Sequence, residues 1–468
     1  MRLIKTQRYG MNLTEGPIFK NIVIFTIPVI ITNFLQQLYI TFGLMIVGNF
    51  EGKTALAAIG STTSLTNMML YFFIGLSVGA TVTCAKYYGA GDRKMLDKAI
   101  HTSIMTAIVS GVVLALLGIF VSGLLLEAMS TDAKLIGSAT TYMRVYFLGS
   151  PFLMLYNFGA GILRAGGDTQ RPLYILAFSG LVNIGSSLLF VCVFGLGVIG
   201  AALGTVMSQL FSAVMVLRIL IKSERVFNLR VKDIRFHKEP FFNILRVGIP
   251  SGINSMLFSL ANLFLQSQIN LYNEAYVAGS SAGTSVENFI FLAMNAVEQA
   301  VVTCVGQNYG AKKFKRIDKI VGISFLLGSV VTIIMCLVVL WKTEFLLSLF
   351  NGDTDVISAG KIRLDLVCKS CLLYLPNILI PGALKGMERS TLPTVLNIIF
   401  VCVTRIIWII YVYPYFSAEL TDRSFLMIFM CFPVSWVLST LAQFTAYILV
   451  RFKINKKLKD EETSEVNV

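Results

Sequence analysis

Long apolar runs recur along the whole chain and are separated by short polar connections. Each run has roughly 20 to 30 residues, and about 20 are enough for a helix to cross a hydrocarbon layer ~30 Å thick. Strands of a membrane barrel would instead show about ten residues of alternating polarity. The pattern therefore predicts an all-α membrane protein with twelve transmembrane helices. The predicted spans are 22–48, 55–85, 99–121, 140–163, 173–194, 198–221, 243–272, 277–305, 318–341, 363–385, 394–416 and 425–450.

The composition supports a membrane protein and excludes two other classes. Of the 468 residues, 56% are hydrophobic and 14% are charged. Soluble domains have about 25% charged residues, and disordered chains have low hydrophobicity. The chain is therefore expected to be a polytopic membrane protein that contacts lipid along most of its length.

The chain also repeats itself. Residues 88–98 read YGAGDRKMLDK and residues 309–319 read YGAKKFKRIDK, at an offset of 221. This repeat predicts two six-helix bundles that enter the membrane in the same direction, which is a parallel internal repeat. The predicted boundaries are 1–221 for the N-terminal bundle, 222–242 for a cytoplasmic linker, 243–450 for the C-terminal bundle and 451–468 for a cytoplasmic tail.

The net charge of +14 reflects 39 Lys and Arg residues against 25 Asp and Glu residues. About 30 of the 39 basic residues lie at the termini or in the even-numbered connections between spans. The positive-inside rule then places both termini in the cytoplasm of a plasma-membrane protein. Because this topology accounts for most of the charge, no nucleic-acid partner is expected.

Enzymatic and metal chemistry are not expected from the residue inventory. The eight cysteines fall in or at the ends of apolar runs, where thiols pack as small hydrophobic groups. The chain has only two histidines, no HExxH motif and no GxxxxGK[ST] phosphate loop. A repeated twelve-span bundle without an ATP site is typical of a secondary transporter, which needs no cofactor and uses an ion gradient.

Two glutamates and one arginine lie well inside predicted spans rather than near their ends, where inserting a charge into the membrane core costs about 2.5–3.5 kcal/mol. Glu287 and Glu298 are eleven residues apart, so they share one face of span 8. Arg405 lies in span 11 at a similar depth to Glu287, so a Glu287–Arg405 pair is feasible. Glu287 is either the site for a coupling ion or a cationic substrate, or one half of a permanent structural pair. Candidate neighbours on the same face of span 8 are Phe291, Met294 and Asn295.

Polar stripes give weaker candidates. Asn33 and Gln36 are on one face of span 1, and Asn183 and Ser187 share a face of span 5. Such residues either line a substrate cavity or bond neighbouring helices.

Two prolines are candidate hinges. Pro28 and Pro250 occupy corresponding places in the first helix of each half. Each removes a backbone donor, so each is either a hinge or a static kink.

Several motifs together resemble the multidrug and toxic compound extrusion (MATE) family of transporters, bacterial type. They extend over nearly the whole chain, from about residue 15 to residue 450. The motifs are QQLY at 36–39, IVGNF at 46–50, FFIGLSVGA at 72–80, YYGAGD at 87–92, PFLMLYNFGAGILRAGGDTQRP at 151–172, ENFIFLAMNA at 287–296 and VGQNYGA at 305–311.

The resemblance implies a V-shaped twelve-helix fold and a monomer. It implies export of amphipathic, often cationic, small molecules by alternating access between two bundles, against entry of sodium ions or protons. One departure concerns the acids that the family uses for cation binding. An aspartate common in the family's first helix is replaced by Gly43, and an aspartate of the fifth helix is replaced by Ser187. Ordinary proton coupling through the N-terminal half is therefore in doubt.

Two alternatives remain open from the sequence. A lipid-linked saccharide flippase of the same superfamily would share the architecture. It should line its cavity with several basic residues, whereas Arg405 is the clear intramembrane basic residue. A non-transporting membrane receptor would bind a ligand without moving it across the membrane.

Overall fold

The computed structural model describes residues 10–129, 133–223, 227, 229–417 and 419–466. The first residues of the chain and part of the predicted linker 222–242 therefore lie outside the described residues.

The first half of the chain folds into helices that follow the apolar runs closely. They are α1 (Ile18–Phe50), α2 (Gly52–Ala90), α3 (Arg93–Ala128), α4 (Ala133–Leu148), α5 (Ser150–Ala165), α6 (Gln170–Leu188) and α7 (Gly197–Lys222). A π-helical turn, Leu189–Val193, extends α6.

The second half repeats this order with more breaks. Its helices are α8 (Lys238–Ile269), α9 (Glu274–Gly310), α10 (Phe314–Trp341), α11 (Thr343–Ser348), α12 (Thr354–Ser370), α13 (Leu375–Gly386), α14 (Thr391–Asn397), α15 (Thr404–Ile407), α16 (Asp422–Phe429) and α17 (Cys431–Val466). The π-helical segment Ile398–Val403 joins α14 to α15, and a second one, Trp408–Val412, extends α15 within the same span.

Among the described residues, ten helices are long and apolar enough to cross a membrane, and two bent helix pairs bring the number to twelve. The bent pairs are α4 with α5, at 46°, and α12 with α13, at 44°. They coincide with predicted spans 4 and 10. Pro151 lies in the first turn of α5 and Pro376 in the first turn of α13, where a missing N–H is tolerated. The prediction of a twelve-helix membrane protein is confirmed.

The chain forms two compact units. Unit 1 comprises Met1–Ser259, Val302–Ile320 and Gly386–Glu388. Unit 2 comprises Leu260–Val301, Val321–Lys385 and Arg389–Val468. In addition to α1–α7, unit 1 thus contains most of α8, the last turns of α9, the start of α10 and the end of α13.

Within unit 1, the ends of α2 and α9 touch backbone to backbone at two glycines. A Cβ atom on Gly89 would lie 1.9 Å from the carbonyl oxygen of Gln307. A Cβ atom on Gly310 would lie 1.9 Å from the carbonyl oxygen of Lys86. At the repeat offset of 221, Gly89 corresponds to Gly310 and Lys86 to Gln307. Each repeat therefore contributes equivalent residues to this contact between α2 and α9, which we call the glycine crossing. The crossing explains why the YGA motif of each repeat carries a glycine.

A short N-terminal strap, residues 11–16, is fixed to the same end of unit 1. The backbone N–H of Leu13 donates to Oε1 of Gln307 at 2.9 Å, and Asn308 Nδ2 donates to the carbonyl of Leu13 at 3.1 Å. Lys313 Nζ donates to the carbonyl of Thr14 at 3.0 Å, and Arg316 donates to the carbonyls of residues 15 and 16. Leu13 is 2% exposed. The strap is therefore part of the packed structure.

The loop between α5 and α6 supports the strap. Gly167 has a φ of +80°, and a Cβ atom there would lie 2.2 Å from the carbonyl oxygen of Met11. In the same loop, Asp168 is fully buried and pairs with Arg171. Burial raises the pKa of the Asp168 carboxyl, against the lowering effect of Arg171. The GGD motif thus combines a conformation that favours glycine with a buried charge pair.

Candidate functional site

A cavity of about 270 Å³ lies inside unit 1, between α1, α2 and α4–α7. We call it the unit 1 cavity. The predicted residues Gln36, Asn183 and Ser187 all line it, and so does Gly43. The polar residues of its lining are Gln36, Thr62, Thr63, Thr66, Asn67, Ser179, Asn183, Ser187, Thr205, Ser208, Gln209 and Ser212. Among the lining residues that the structure describes, none is Asp, Glu, Lys, Arg or His.

Part of this polar lining forms its own hydrogen-bond network. Ser212 Oγ donates to Ser179 Oγ at 2.8 Å. Asn183 Nδ2 donates to Ser208 Oγ at 3.4 Å and to Thr205 Oγ1 at 3.5 Å. The network holds α6 against α7, which is the helix-bonding role that sequence patterns left open for Asn183.

Four tyrosines supply the aromatic part of the cavity. They are Tyr39, Tyr142, Tyr146 and Tyr156. The rings of Tyr142 and Tyr146 are stacked at 6.1 Å on successive turns of α4. The Tyr39 ring lies so close to Gly180 that a Cβ atom there would be 1.9 Å from it. None of the four was predicted to line a cavity, although the i, i+4 spacing of Tyr142 and Tyr146 was a visible signal of a shared face.

Two buried oxygens of the lining have no hydrogen-bond partner in the described structure. They are Thr66 Oγ1 on α2 and Gln209 Oε1 on α7. Thr66 is 7% exposed and Gln209 is 8% exposed. The Gln209 oxygen packs against Gly149, where a Cβ atom would lie 2.2 Å from it. Both oxygens have less than 1 Å² of accessible surface, so neither is open to a ligand in the cavity.

Glu287 of unit 2 forms a bidentate ion pair with Arg363. Arg363 Nη2 lies 2.5 Å from Oε1 of Glu287, and Arg363 Nε lies 3.1 Å from Oε2. Arg363 Nη1 also donates to Ser280 Oγ at 2.8 Å, and its guanidinium lies 4.9 Å from the ring centre of Phe429. Both side chains of the pair are more than nine-tenths buried. Because the two charges compensate each other, unit 2 can hold both side chains in its interior.

The partner of Glu287 is Arg363, whereas the sequence made a pair with Arg405 feasible. Span 10 was predicted to begin at residue 363, which placed Arg363 at its outer end. The helix α12 begins at Thr354, so Arg363 lies well inside it. The first turns of α12 are polar, so the hydropathy pattern did not indicate where the helix begins.

Arg405 is buried elsewhere in unit 2. Its Nη1 donates to Asn262 Oδ1 at 3.2 Å, its Nε donates to Ser435 Oγ at 3.5 Å, and its guanidinium lies 4.6 Å from the ring centre of Phe432. It belongs to α15, between two π-helical segments, and such segments often occur at functional sites. Arg405 stays a candidate on this ground.

Glu298 of unit 2 also has a basic partner. Lys385 Nζ lies 2.8 Å from its Oε1. The Glu298 side chain is 20% exposed, so this pair is less buried than the Glu287 pair.

The other candidates on α9 pack within unit 2. Met294 is fully buried and its sulfur lies 3.8 Å from that of Cys371. The Phe291 ring meets the Tyr374 ring edge-on at 5.3 Å, and Asn295 is half-buried. The structure therefore places Phe291 and Met294 in core packing, and their contact with substrate stays a prediction.

The remaining candidates lie on the first helix of each half. Asn33 is half-buried on α1. Pro28 lies inside α1 and its carbonyl accepts a hydrogen bond from Thr32 Oγ1 at 2.7 Å, and Pro250 lies inside α8. Their roles as cavity residue and hinges stay predictions.

Comparison with known proteins agrees with this geometry. A family model described as MatE matches the chain twice, over residues 28–189 and 250–410. The chain is 28% identical over 450 residues to the probable multidrug resistance protein YpnP of Bacillus subtilis, covering 95% of this chain and 98% of YpnP. It is 26% identical over 394 residues to the probable multidrug resistance protein YoeA of the same organism, covering 82% and 85%.

Solved structures show the same fold. A MOP superfamily transporter from Pyrococcus furiosus, described by the reverse polarity of its binding pocket, superposes with a TM-score of 0.87. Its sequence identity is 20%, over 95% of this chain and 98% of that one. A multidrug resistance MATE family transporter in an outward-facing conformation gives a TM-score of 0.86 at 20% identity, over 96% and 99% of the two chains.

Proposed function

Because the chain belongs to the MatE family of transporters, we propose that it exports amphipathic drugs and toxic organic compounds across the plasma membrane in exchange for sodium ions or protons. The relatives YpnP and YoeA are named as probable multidrug resistance proteins. The unit 1 cavity is the observation that supports this proposal best. Its exposure to the two sides of the membrane in turn would move a bound compound outward.

The lining of the unit 1 cavity suits an amphipathic ligand. Tyrosine rings offer apolar faces, and the amide and hydroxyl side chains offer hydrogen bonds. The volume of about 270 Å³ is near the lower end of the range for ligand pockets, roughly 300 Å³. A compound of two or three fused rings is therefore the expected size.

We place the coupling ion at the Glu287–Arg363 pair of unit 2. The pair supplies a buried carboxylate, whereas the described lining of the unit 1 cavity supplies none. A proton or sodium ion on Glu287 would compete with Arg363 for the carboxylate oxygens. One charge crossing 100 mV provides about 2.3 kcal/mol, which supports a roughly 50-fold gradient of an uncharged compound.

Filling the unit 1 cavity is expected to stop transport. In Gly43→Phe the new ring points from a lining position that has no atom within 4 Å of its Cβ, so it occupies the cavity without a backbone clash. Uptake of a fluorescent amphipathic dye into inverted vesicles, driven by a proton or sodium gradient, should fall at least tenfold.

The matched control is Gly185→Phe. Gly185 also has no atom within 4 Å of its Cβ, but it is exposed on α6 and is not among the lining residues. Uptake by this variant should equal that of the wild type. Equal uptake by both variants would remove the unit 1 cavity from the transport path. Dye binding without gradient-driven uptake in the wild type would favour a receptor.

A flippase for anionic lipid-linked saccharides is less well supported. It would need basic groups facing its substrate, and the described lining of the unit 1 cavity offers none. The same vesicles, loaded with a lipid-linked saccharide, test this second function directly.

A further inference from the structure

Residues 229–237 lie against the first turns of α3 in unit 1 and end where α8 begins, and we call this segment the linker turn. The backbone N–H of Arg230 donates to Nε2 of His101 at 3.0 Å. The backbone N–H of His237 donates to Oγ1 of Thr102 at 3.1 Å. These two bonds, one near each end of the segment, fix the linker turn to α3.

The linker turn exposes apolar side chains. Val231 is 66% exposed and Phe236 is 43% exposed. The Phe236 ring meets the Phe241 ring edge-on at 4.8 Å, and the neighbouring Phe242 is 58% exposed. The linker turn and the start of α8 thus present an apolar surface that the described protein does not cover.

This surface continues along one face of α8. Phe242, Arg246, Ile249 and Ile253 are all exposed and follow each other at intervals of four, three and four residues, so they share a helix face. The helix is long and apolar enough to cross a membrane, so its exposed face contacts lipid. Because the linker turn directly precedes this span, it lies at the lipid headgroups, which extend about 5–8 Å beyond the hydrocarbon.

The same place is basic. The linker turn and the first two residues of α8 contain four basic residues and two acidic residues, namely Arg230, Lys232, Arg235 and Lys238 against Asp233 and Glu239. Lys94 and Lys98 of α3 add further positive charge, four and eight residues before Thr102. Burial and the charges of Arg235 and Lys98 lower the pKa of His237. Positive charge from the linker turn and from α3 therefore acts at one place.

We propose that the linker turn and the start of α8 bind the headgroup of an anionic phospholipid. Exposed lysines contact the phosphate, while Val231 and the exposed phenylalanine rings contact the glycerol and the first acyl carbons. This inference goes beyond the proposed export function, because it concerns the surrounding lipid and not the transported compound.

Charge and apolar surface together select a lipid. Segments that combine Lys and Arg with exposed aromatic residues bind at the interface of anionic membranes. Lys232 and Lys238 are exposed and form no ion pair in the described structure, so their ammonium groups are open to a phosphate. Each basic residue near an anionic membrane surface strengthens binding roughly fivefold.

Native mass spectrometry of the purified full-length protein measures the preference for headgroup charge. Phosphatidylglycerol and phosphatidylcholine with identical acyl chains are added in turn, and the affinity for the first bound lipid is compared. The wild type should bind phosphatidylglycerol at least fivefold more tightly. Equal affinity for the two lipids would overturn the proposal.

Paired lysine variants localise the binding. Lys232→Gln with Lys238→Gln should weaken phosphatidylglycerol binding at least fivefold and leave phosphatidylcholine binding unchanged. The matched control is Lys315→Gln with Lys319→Gln, which removes the same charge from two exposed lysines of α10 that also belong to unit 1. The control should bind phosphatidylglycerol like the wild type. An equal loss in both double variants would assign the preference to overall charge and overturn the proposal.

Val231→Ser tests the apolar contact. The side chain is largely exposed, so the melting temperature should not change. Binding of both lipids should weaken about two- to threefold, with the preference for phosphatidylglycerol kept. Unchanged binding of both lipids would show that Val231 does not reach the lipid, and it would reject the combined site in favour of charge alone.

Competition identifies the source of the phosphate. An excess of glycerol 3-phosphate carries the headgroup phosphate without acyl chains and should leave phosphatidylglycerol bound. Polyglutamate, a model of an acidic protein segment, should also fail to displace the lipid. Displacement by glycerol 3-phosphate would assign the surface to a soluble anion, and displacement by polyglutamate to an acidic protein. Either result would overturn the lipid proposal.

Discussion

Glu287→Gln is expected to abolish gradient-driven dye uptake and to lower the stability of the protein. Glutamine keeps the shape but removes the charge that a coupling ion would bind. It also leaves Arg363, a side chain only 9% exposed, without its carboxylate. Removing one partner of a buried ion pair lowers the free energy of unfolding by about 3–5 kcal/mol, because the remaining charge stays buried. Uptake into inverted vesicles and thermal unfolding of the purified protein measure the two effects.

The double variant Glu287→Gln with Arg363→Met separates coupling from structure. Removing both charges is often neutral for stability, so most of the lost melting temperature should return. Uptake should stay absent, because no carboxylate replaces Glu287. A double variant that transports like the wild type would make the pair purely structural and would end the coupling proposal.

An exposed pair of the same unit is the control. Lys369 Nζ and Asp365 Oδ2 lie 3.2 Å apart, one helical turn apart on α12, as the sequence spacing predicts. The Lys369 side chain is 68% exposed and that of Asp365 is 40% exposed, and pairs open to solvent contribute little to stability. Asp365→Asn should therefore change neither uptake nor melting temperature measurably.

Gly310→Ala is expected to destabilise unit 1 severely. The new methyl group would lie 1.9 Å from the carbonyl oxygen of Lys86, so a backbone would have to move. Overpacking usually lowers the free energy of unfolding by about 1–3 kcal/mol. A clash with backbone atoms should lower it by at least the upper value of that range. Gly89→Ala, the equivalent change in the first repeat, should have a similar effect. Thermal unfolding and the yield of monodisperse protein give the measurement.

Gly322→Ala is the matched control on α10. No atom lies within 4 Å of its Cβ position, and alanine favours a helix over glycine by roughly 0.5–1 kcal/mol. Its melting temperature should stay equal or rise. A Gly310→Ala protein that is as stable as Gly322→Ala would show that the glycine crossing is not tightly packed.

The helices and their number were predictable because membrane spans depend on summed hydrophobicity, which is a local property of the sequence. The bend at Gly149, between α4 and α5, fell inside one predicted span, since a bend changes direction without changing hydropathy. The start of α12 was missed because its first turns are polar, and Arg363 was therefore placed at the wrong depth.

The candidate site was predictable only in part, because sequence does not fix the rotation of a helix against its neighbours. Gln36, Asn183 and Ser187 were found as polar positions in apolar helices, where polarity itself is the signal. Tyr146 was missed, because aromatic residues are common on lipid-facing surfaces as well as in cavities. The YGA repeat was visible, but the mutual contact of Gly89 and Gly310 needed the three-dimensional structure.

The N-terminal strap constrains how this protein can be engineered. Most of its bonds to Asn308, Lys313 and Arg316 use main-chain carbonyls, so substitutions within the strap should be tolerated better than its removal. A truncation that starts the chain at α1 would delete the strap, expose the amide groups of Gln307 and Asn308 and uncover the buried loop at Gly167. Recombinant versions of the protein should therefore keep residues 11–16 and carry their purification tag after α17.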